Sequence, residues 1–394
     1  MTPSAQTSSH AAVPADHGRI TELDGLRGIA AAGVVAFHLF PGKCFWMWSF
    51  VDLFFVLSGF LISRILLESL RAQRFSLKYF WARRILRIWP VYYLAVLVVG
   101  ACNWLWFGSD FLHGPYLRDV LLSLVYLQFT PLYFHGIGDA TAMFYFPIGL
   151  LHIWSLAVEE QFYILWPLAL MLLGYRRMPA MVALCIGAFA VGPVFRILGF
   201  APALLLTRID GLALGVLLAI VVTVRLHHRP AAGYRTWLLD QGFCWLALVP
   251  GLILVGPYFV RGYLHGVDGA EIFRQPWLVS GFALSYFALV GLVVYWCGRR
   301  LTAGLRLPLL TYLGSISYAM YMFHFPILYW ITPRLEELCG NGHHWLVRGL
   351  TLVLIVGFAH LSKVLIENPI LALKARFSQG RHAPLEEERA VTSS

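Results

Sequence analysis

Ten stretches of the chain read as continuous apolar runs, at approximately 28–47, 50–70, 87–107, 152–173, 179–199, 203–224, 243–260, 277–297, 308–332 and 345–366. Each has about 18–25 residues, enough for an α-helix rising 1.5 Å per residue to cross a hydrocarbon layer of roughly 30 Å. None alternates apolar and polar positions over about ten residues, as a membrane barrel strand would. The pattern predicts an all-α polytopic membrane protein of about ten transmembrane helices, with a buried polar site and no soluble domain. One stretch departs from it. Between the third and fourth runs, 108–151 holds a shorter apolar segment, 120–134, broken by Pro131 and followed by His135. At roughly 15 residues it reads as interfacial or re-entrant.

Composition sharpens this reading. Hydrophobic residues make up 59% of the 394 positions and charged ones 13%, where a soluble domain carries about a quarter charged. The net charge of +10 does not point to nucleic acid, because the basic residues cluster at the ends of apolar runs. They fall at Arg71–Arg87, Arg176 and Arg177, Arg225–Arg235, Arg299–Arg306, and Lys374, Arg376 and Arg381. If 108–151 does not cross, all of these and both termini share one side, which the positive-inside rule makes cytoplasmic. The expected organisation is a polar tail over 1–19 with no cleavable leader, a membrane domain over 20–370, and a polar tail over 371–394. The six cysteines stand singly and read as small buried hydrophobes. No metal-ligand spacing and no internal repeat is present in the sequence.

Ionisable residues inside spans are costly and mark functional sites. Arg27 and His38 lie eleven residues apart in LDGLRGIAAAGVVAFHLF. At about 100° per residue they share one helix face. A snorkelling anchor and a packing histidine are the plain alternatives. Asp52 opens the second span in FVDLFFVLSGFLI, where a helix cap is equally readable. Arg84 and Arg87, three apart in WARRILRIWPVYY, share a face that can fork around phosphate oxygens, while Arg83 points elsewhere. Glu159 and Glu160 interrupt WSLAVEEQFY, about 100° apart, so one of the two is expected to face the interior. Arg208 and Asp210 sit in RIDGLALG, and His324 in SYAMYMFHFPI. Counting depth along each run separates an inner cationic group, Arg27, Arg84 and Arg87, from an outer group. The outer group is Asp52, Glu159, Arg208, Asp210 and His324. The two are expected to meet around His38.

Taken in order, LDGLRG with Arg27 and His38, FVDLFFVLSGFLI, the Arg84/Arg87 pair, WSLAVEEQFY, RIDGLALG, SYAMYMFHFPI and IENP resemble the acyltransferase-3 family of integral-membrane O-acyltransferases. The likeness runs from about Leu23 to Pro369. It implies transfer of an acyl group, commonly acetyl, from acyl-CoA to a hydroxyl of a saccharide, a lipid-linked glycan or a small molecule such as a macrolide. It also implies a bacterial inner-membrane location. On that resemblance His38 is the general base, with Glu159 or Asp52 orienting its ring. Arg27, Arg84 and Arg87 bind the donor, and Arg208, Asp210 and His324 bind the acceptor. The donor is a substrate; no permanently bound cofactor or metal is expected. A transporter or flippase of glycan or lipid precursors is the rival reading. It would need inverted repeats or paired broken helices, and the sequence shows neither.

The topology has a direct check. Cysteines introduced near Gly138 and Gly380 should react with impermeant reagents from opposite faces of the membrane; labelling from the same face would overturn the ten-crossing map.

Overall fold

The computed structural model of the chain describes residues 20–108, 110, 115–128, 149–174, 177–228, 234–266, 275–340 and 342–378. Among them there is no β-strand, and every apolar run is helical. The long helices are α1 (Thr21–Leu39), α2 (Phe50–Arg71), α3 (Leu77–Phe107), α5 (Trp154–Leu173), α6 (Met178–Ile197), α7 (Leu205–His228), α8 (Tyr234–His265), α9 (Pro276–Tyr295), α10 (Pro308–Pro326) and α12 (His344–Ser362). Shorter ones are α4 (Pro115–Leu124), α11 (Thr332–Cys339) and α13 (Asn368–Ser378).

Among the described residues, eight of these helices are long and apolar enough to cross a membrane on composition alone. The two that fall short of the ten predicted are α1 and α10. Helix α1 carries Glu22, Asp24 and Arg27 in its first two turns, and α10 is rich in Ser, Thr, Tyr and His. Both are largely buried against their neighbours. Two boundaries move. The first run was expected to reach residue 47, but α1 stops at Leu39 as the chain turns through Pro41 and Gly42. Helix α3 starts ten residues before its apolar run, carrying the basic residues 78–87 as helix. In the 108–151 excursion, α4 has ten residues, about 15 Å at helical rise, and its last turn lies against α3. There the Tyr92 and Tyr93 hydroxyls donate to the carbonyls of Ser123 and Leu124. Of the 120–134 segment, 129–134 lie outside the described residues, as do the tail 1–19 and all of the expected tail 371–394 beyond residue 378; the first eight residues of that second tail continue α13.

Side chains on the outside of the bundle are themselves apolar: Leu105, Leu172, Leu246 and Leu365 are exposed. In water such a surface would aggregate; facing acyl chains it is the stable arrangement.

Without a hydrophobic force between helices in lipid, close packing of small residues fixes which helices pair. Two pairs do this here. Gly28 of α1 faces the Leu310 carbonyl and Gly314 of α10, and Gly314 faces the Asp24 carbonyl, with no room for a Cβ at either position. Gly59 of α2 meets the Leu212 carbonyl of α7, and Gly215 meets the Val56 carbonyl. Both pairs run parallel. Ten residues separate Gly28 from His38, and ten separate Gly314 from His324, so the two histidines arrive side by side. Seven residues separate Asp52 from Gly59, and seven separate Arg208 from Gly215. That register brings the carboxylate to the guanidinium.

A side chain at these crossings has to push backbone aside, and overpacking of this kind costs about 1–3 kcal/mol or more. Gly59→Val and Gly314→Val should each lower the thermal midpoint of the purified protein by several degrees or abolish its monodisperse chromatographic peak. Gly256→Ala, where a Cβ meets nothing within 4 Å, should leave both unchanged.

Candidate active site

A cavity of about 530 Å³ opens among α1, α2, α3, α5 and α10 and the wide turn 363–367. Its cations are Arg27, Arg84, Arg87 and Lys363. Arg84 and Arg87 project from one face of α3, as their spacing of three requires, and neither pairs with a carboxylate among the described residues. The Arg84 guanidinium lies 5.2 Å over the Tyr163 ring. Arg27 donates to Ser317 Oγ at 3.3 Å, and Lys363 Nζ donates to Ser315 Oγ at 2.6 Å. Arg83 is exposed and does not line the cavity.

Glu159 lies in the same cavity. Its carboxylate accepts from Ser58 Oγ at 2.9 Å and from the Tyr163 hydroxyl at 2.8 Å. This corrects the depth count, which had grouped Glu159 with the outer residues. Helix ends fix depth along the helix but say nothing of lateral convergence, and α2 and α3 bring Ser58 and Arg84 to the same level. The expectation that one of the two carboxylates faces the interior is corrected too. Glu160 lines the cavity with Glu159 and is buried, because α2, α3 and α10 wrap around more than 100° of the α5 surface.

Behind one wall of the cavity lies a cluster of three imidazoles. His38 and His324 have ring centroids 5.0 Å apart, and His152 and His324 also 5.0 Å. His152, at the entry to α5, was not singled out in the sequence. The signal was present as a third histidine at the edge of an apolar run, but a boundary residue is the ordinary reading of that position. The wall itself is Tyr321 and Ser155, which share a 2.6 Å hydrogen bond and both line the cavity. The Tyr321 ring lies 5.4 Å from both His152 and His324. His38 therefore does not line the cationic cavity but stands on the far side of this wall. Its Nδ1 bonds the Val34 carbonyl at 3.0 Å. Neither Glu159 nor Asp52 is hydrogen-bonded to its ring, so the orienting role expected for them falls to the backbone.

Asp52, Arg208 and Asp210 are placed elsewhere. Arg208 Nη1 donates to both Asp52 oxygens at 3.1 and 3.2 Å, and its Nε donates to the Pro202 carbonyl at 2.7 Å. The Trp154 ring lies 5.0 Å beneath the guanidinium. Arg196, which the sequence reading passed over, donates to Asp210 Oδ2 at 2.9 Å and to Ser280 Oγ at 2.6 Å. Both ion pairs are buried and satisfied, and none of these residues lines the cavity. Neither Arg208 nor Asp210 lines the cavity, and each makes its ion pair with a neighbouring helix. They join α2 to α7, and α6 to α7 and α9.

With the site described, its relatives can be set beside it. A family model described as an acyltransferase domain matches residues 20–362. The peptidoglycan O-acetyltransferase OatA of Listeria monocytogenes is 28% identical over 370 residues, 89% of this chain and 56% of its own length. YrhL of Bacillus subtilis, whose name assigns it the same activity provisionally, is 30% identical over 377 residues, 90% of this chain and 55% of its own. The chain thus spans just over half the length of these relatives. No solved structure matches it.

Removing one partner of a buried pair strands the other charge, at about 3–5 kcal/mol. Arg208→Ala should therefore lose folded protein on extraction, whereas Arg208→Met with Asp52→Leu should restore it. Stable Arg208→Ala protein with a specific loss of acceptor use would return Arg208 to the binding machinery.

Proposed function

The chain belongs to this acyltransferase family, and from that premise we propose that it moves an acyl group, acetyl as in the relatives' names, from acyl-CoA to a saccharide or lipid-linked glycan hydroxyl. The donor enters from the cytoplasmic side of a bacterial inner membrane and the acceptor from the opposite side. The observation that carries this reading is the pair Arg84 and Arg87. They are two guanidinium groups on one face of α3, set in a cavity, with no carboxylate partner among the described residues. Arg84 is half-buried over the Tyr163 ring and Arg87 is exposed at the cavity's edge; a partly desolvated cation with no bonded carboxylate favours an anion, and the guanidinium fork matches phosphate oxygens. CoA carries such phosphates. Arg27, held by Ser317, adds a third cation on the path inward.

The chemistry asks for little more than a base. The acceptor oxygen attacks the thioester carbonyl while its proton passes to His38 Nε2. The C–S bond then breaks, and the imidazolium returns the proton to the departing CoA sulfur. A carbonyl only accepts, so the bond to Val34 requires Nδ1 to carry hydrogen, which leaves the Nε2 lone pair free. Base catalysis of this kind contributes about 10²–10⁴-fold. Glu159, tied to Ser58 and Tyr163 beside Arg84, positions the donor cations; Asp52, Arg208 and Asp210 hold helices together and take no chemical part. The pantetheine arm has to reach past the Tyr321–Ser155 contact, which places that pair at the passage between donor and base.

Purified full-length protein tests this directly. Arg84→Ala and Arg87→Ala should each weaken acetyl-CoA binding by about ten-fold or more, the loss of one charge-assisted contact. His38→Ala should abolish transfer and leave acetyl-CoA affinity as it was. Unchanged affinity in both arginine variants would refute the donor site, and near-normal turnover in His38→Ala with His324→Ala inactive would move the base to His324.

A further inference from the structure

Each of the three imidazoles has one ring nitrogen fixed by a backbone carbonyl. His38 Nδ1 meets Val34, His324 Nδ1 meets Tyr321 at 2.6 Å, and His152 Nε2 meets Met322 at 3.1 Å. Carbonyl oxygens only accept, so all three of these nitrogens carry hydrogen. The remaining nitrogens, His38 Nε2, His324 Nε2 and His152 Nδ1, are therefore all acceptors. Those of His324 and His152 are sealed from solvent and have no hydrogen-bond partner among the described residues, and both residues are more than nine-tenths buried.

Two orphaned acceptors next to one another are a cost that a fold does not carry without use. Among the described residues the surroundings supply no donor for them. The Tyr321 hydroxyl, the nearest candidate, is engaged with Ser155 and the His152 carbonyl, and the Phe325 ring, 5.4 Å from both His38 and His152, is apolar. A phosphate or carboxylate brings only further acceptors. A molecule with several O–H or N–H groups brings what is missing.

We propose that His38, His152 and His324 together form the acceptor subsite, and that it takes a polyol or amino-sugar presenting two hydrogen-bond donors at once. One is the reacting hydroxyl on His38; the other is a neighbouring O–H or N–H on His324 or His152. This rests on the acyl-transfer reading above and adds a specificity to it: a simple alcohol satisfies the base but leaves the second acceptor bare. His152 and His324 are then the residues that select a sugar over a lipid alcohol.

The test uses the full chain in an amine-oxide detergent, which has no hydroxyl groups, with acetyl-CoA as donor and hexyl β-glucoside, its mono-deoxy analogues and 1-hexanol as acceptors. For the native protein, loss of one particular hydroxyl should lower kcat/KM by about ten-fold or more. In His152→Phe or His324→Phe the same loss should matter less than about three-fold, because the partner is already gone. His152→Asn, with an oxygen in place of Nδ1, and His324→Gln, with an oxygen in place of Nε2, should keep the sensitivity. A merely structural role would not produce that conservative rescue. Equal use of 1-hexanol and every glucoside by the native protein would overturn the proposal. Binding supplies a second readout. The histidine ring-nitrogen resonances of ¹⁵N-labelled protein should move with hexyl glucoside and stay with 1-hexanol, and no movement with either overturns the subsite. Movement without transfer to any alcohol overturns the acyl-transfer reading and leaves the two-donor site standing.

Discussion

A charge inside an apolar bundle has to be met, by an opposite charge, by hydrogen bonds or by a ligand. That constraint sorts the polar residues of this protein into those that hold it together and those that wait for something. Asp52 with Arg208, and Arg196 with Asp210 and Ser280, are closed: each charge has an opposite charge within hydrogen-bond length. Arg84, half-buried beside an exposed Arg87, has no bonded carboxylate among the described residues, and the free nitrogens of His152 and His324 have no partner there. These groups surround the cavity and its far wall. The closed ones sit outside it.

The closed pairs matter because of where the helices touch. In α2 and α7, two glycines bring the backbones together seven residues from Asp52 and Arg208. The register of that contact delivers an aspartate to an arginine at a single level of the bundle. The same device operates in α1 and α10, where equal spacings from Gly28 and Gly314 deliver His38 to His324. Small residues set the helix pairing, and the pairing sets which polar side chains meet. A shift of one residue in either crossing would rotate its partner by about 100° and dismantle the pair.

The arrangement also separates two tasks. The cationic cavity and the imidazole cluster share one wall, Tyr321 and Ser155, so on the proposed reading an anionic donor and a neutral, donor-rich acceptor approach from different sides. Among the described residues the cavity contains no free imidazole, and the imidazole cluster contains no cation. Each subsite thereby rejects the other's substrate on charge and hydrogen-bond sense alone.

Much of this was legible in the chain. Run length, low charge and basic clustering establish an all-helical membrane protein with cation-rich helix ends, because crossing a hydrocarbon layer constrains length and composition residue by residue. The Arg84/Arg87 face follows from a spacing of three on one helix, and the closeness of Arg27 to His38 in angle follows from a spacing of eleven. What the chain alone did not reveal depends on lateral contact between helices distant in sequence. Asp52 and Arg208 read as two separate polar positions, and only the α2–α7 crossing makes them one closed pair. Glu159 counted as an outer residue until Ser58 and Tyr163 fixed it among the cavity's cations. His152 read as a span boundary until α5 and α10 set it beside His324. Periodicity within a helix tells which way a side chain points. Which residue it meets is decided by the neighbouring helix, and only the packed bundle holds that information.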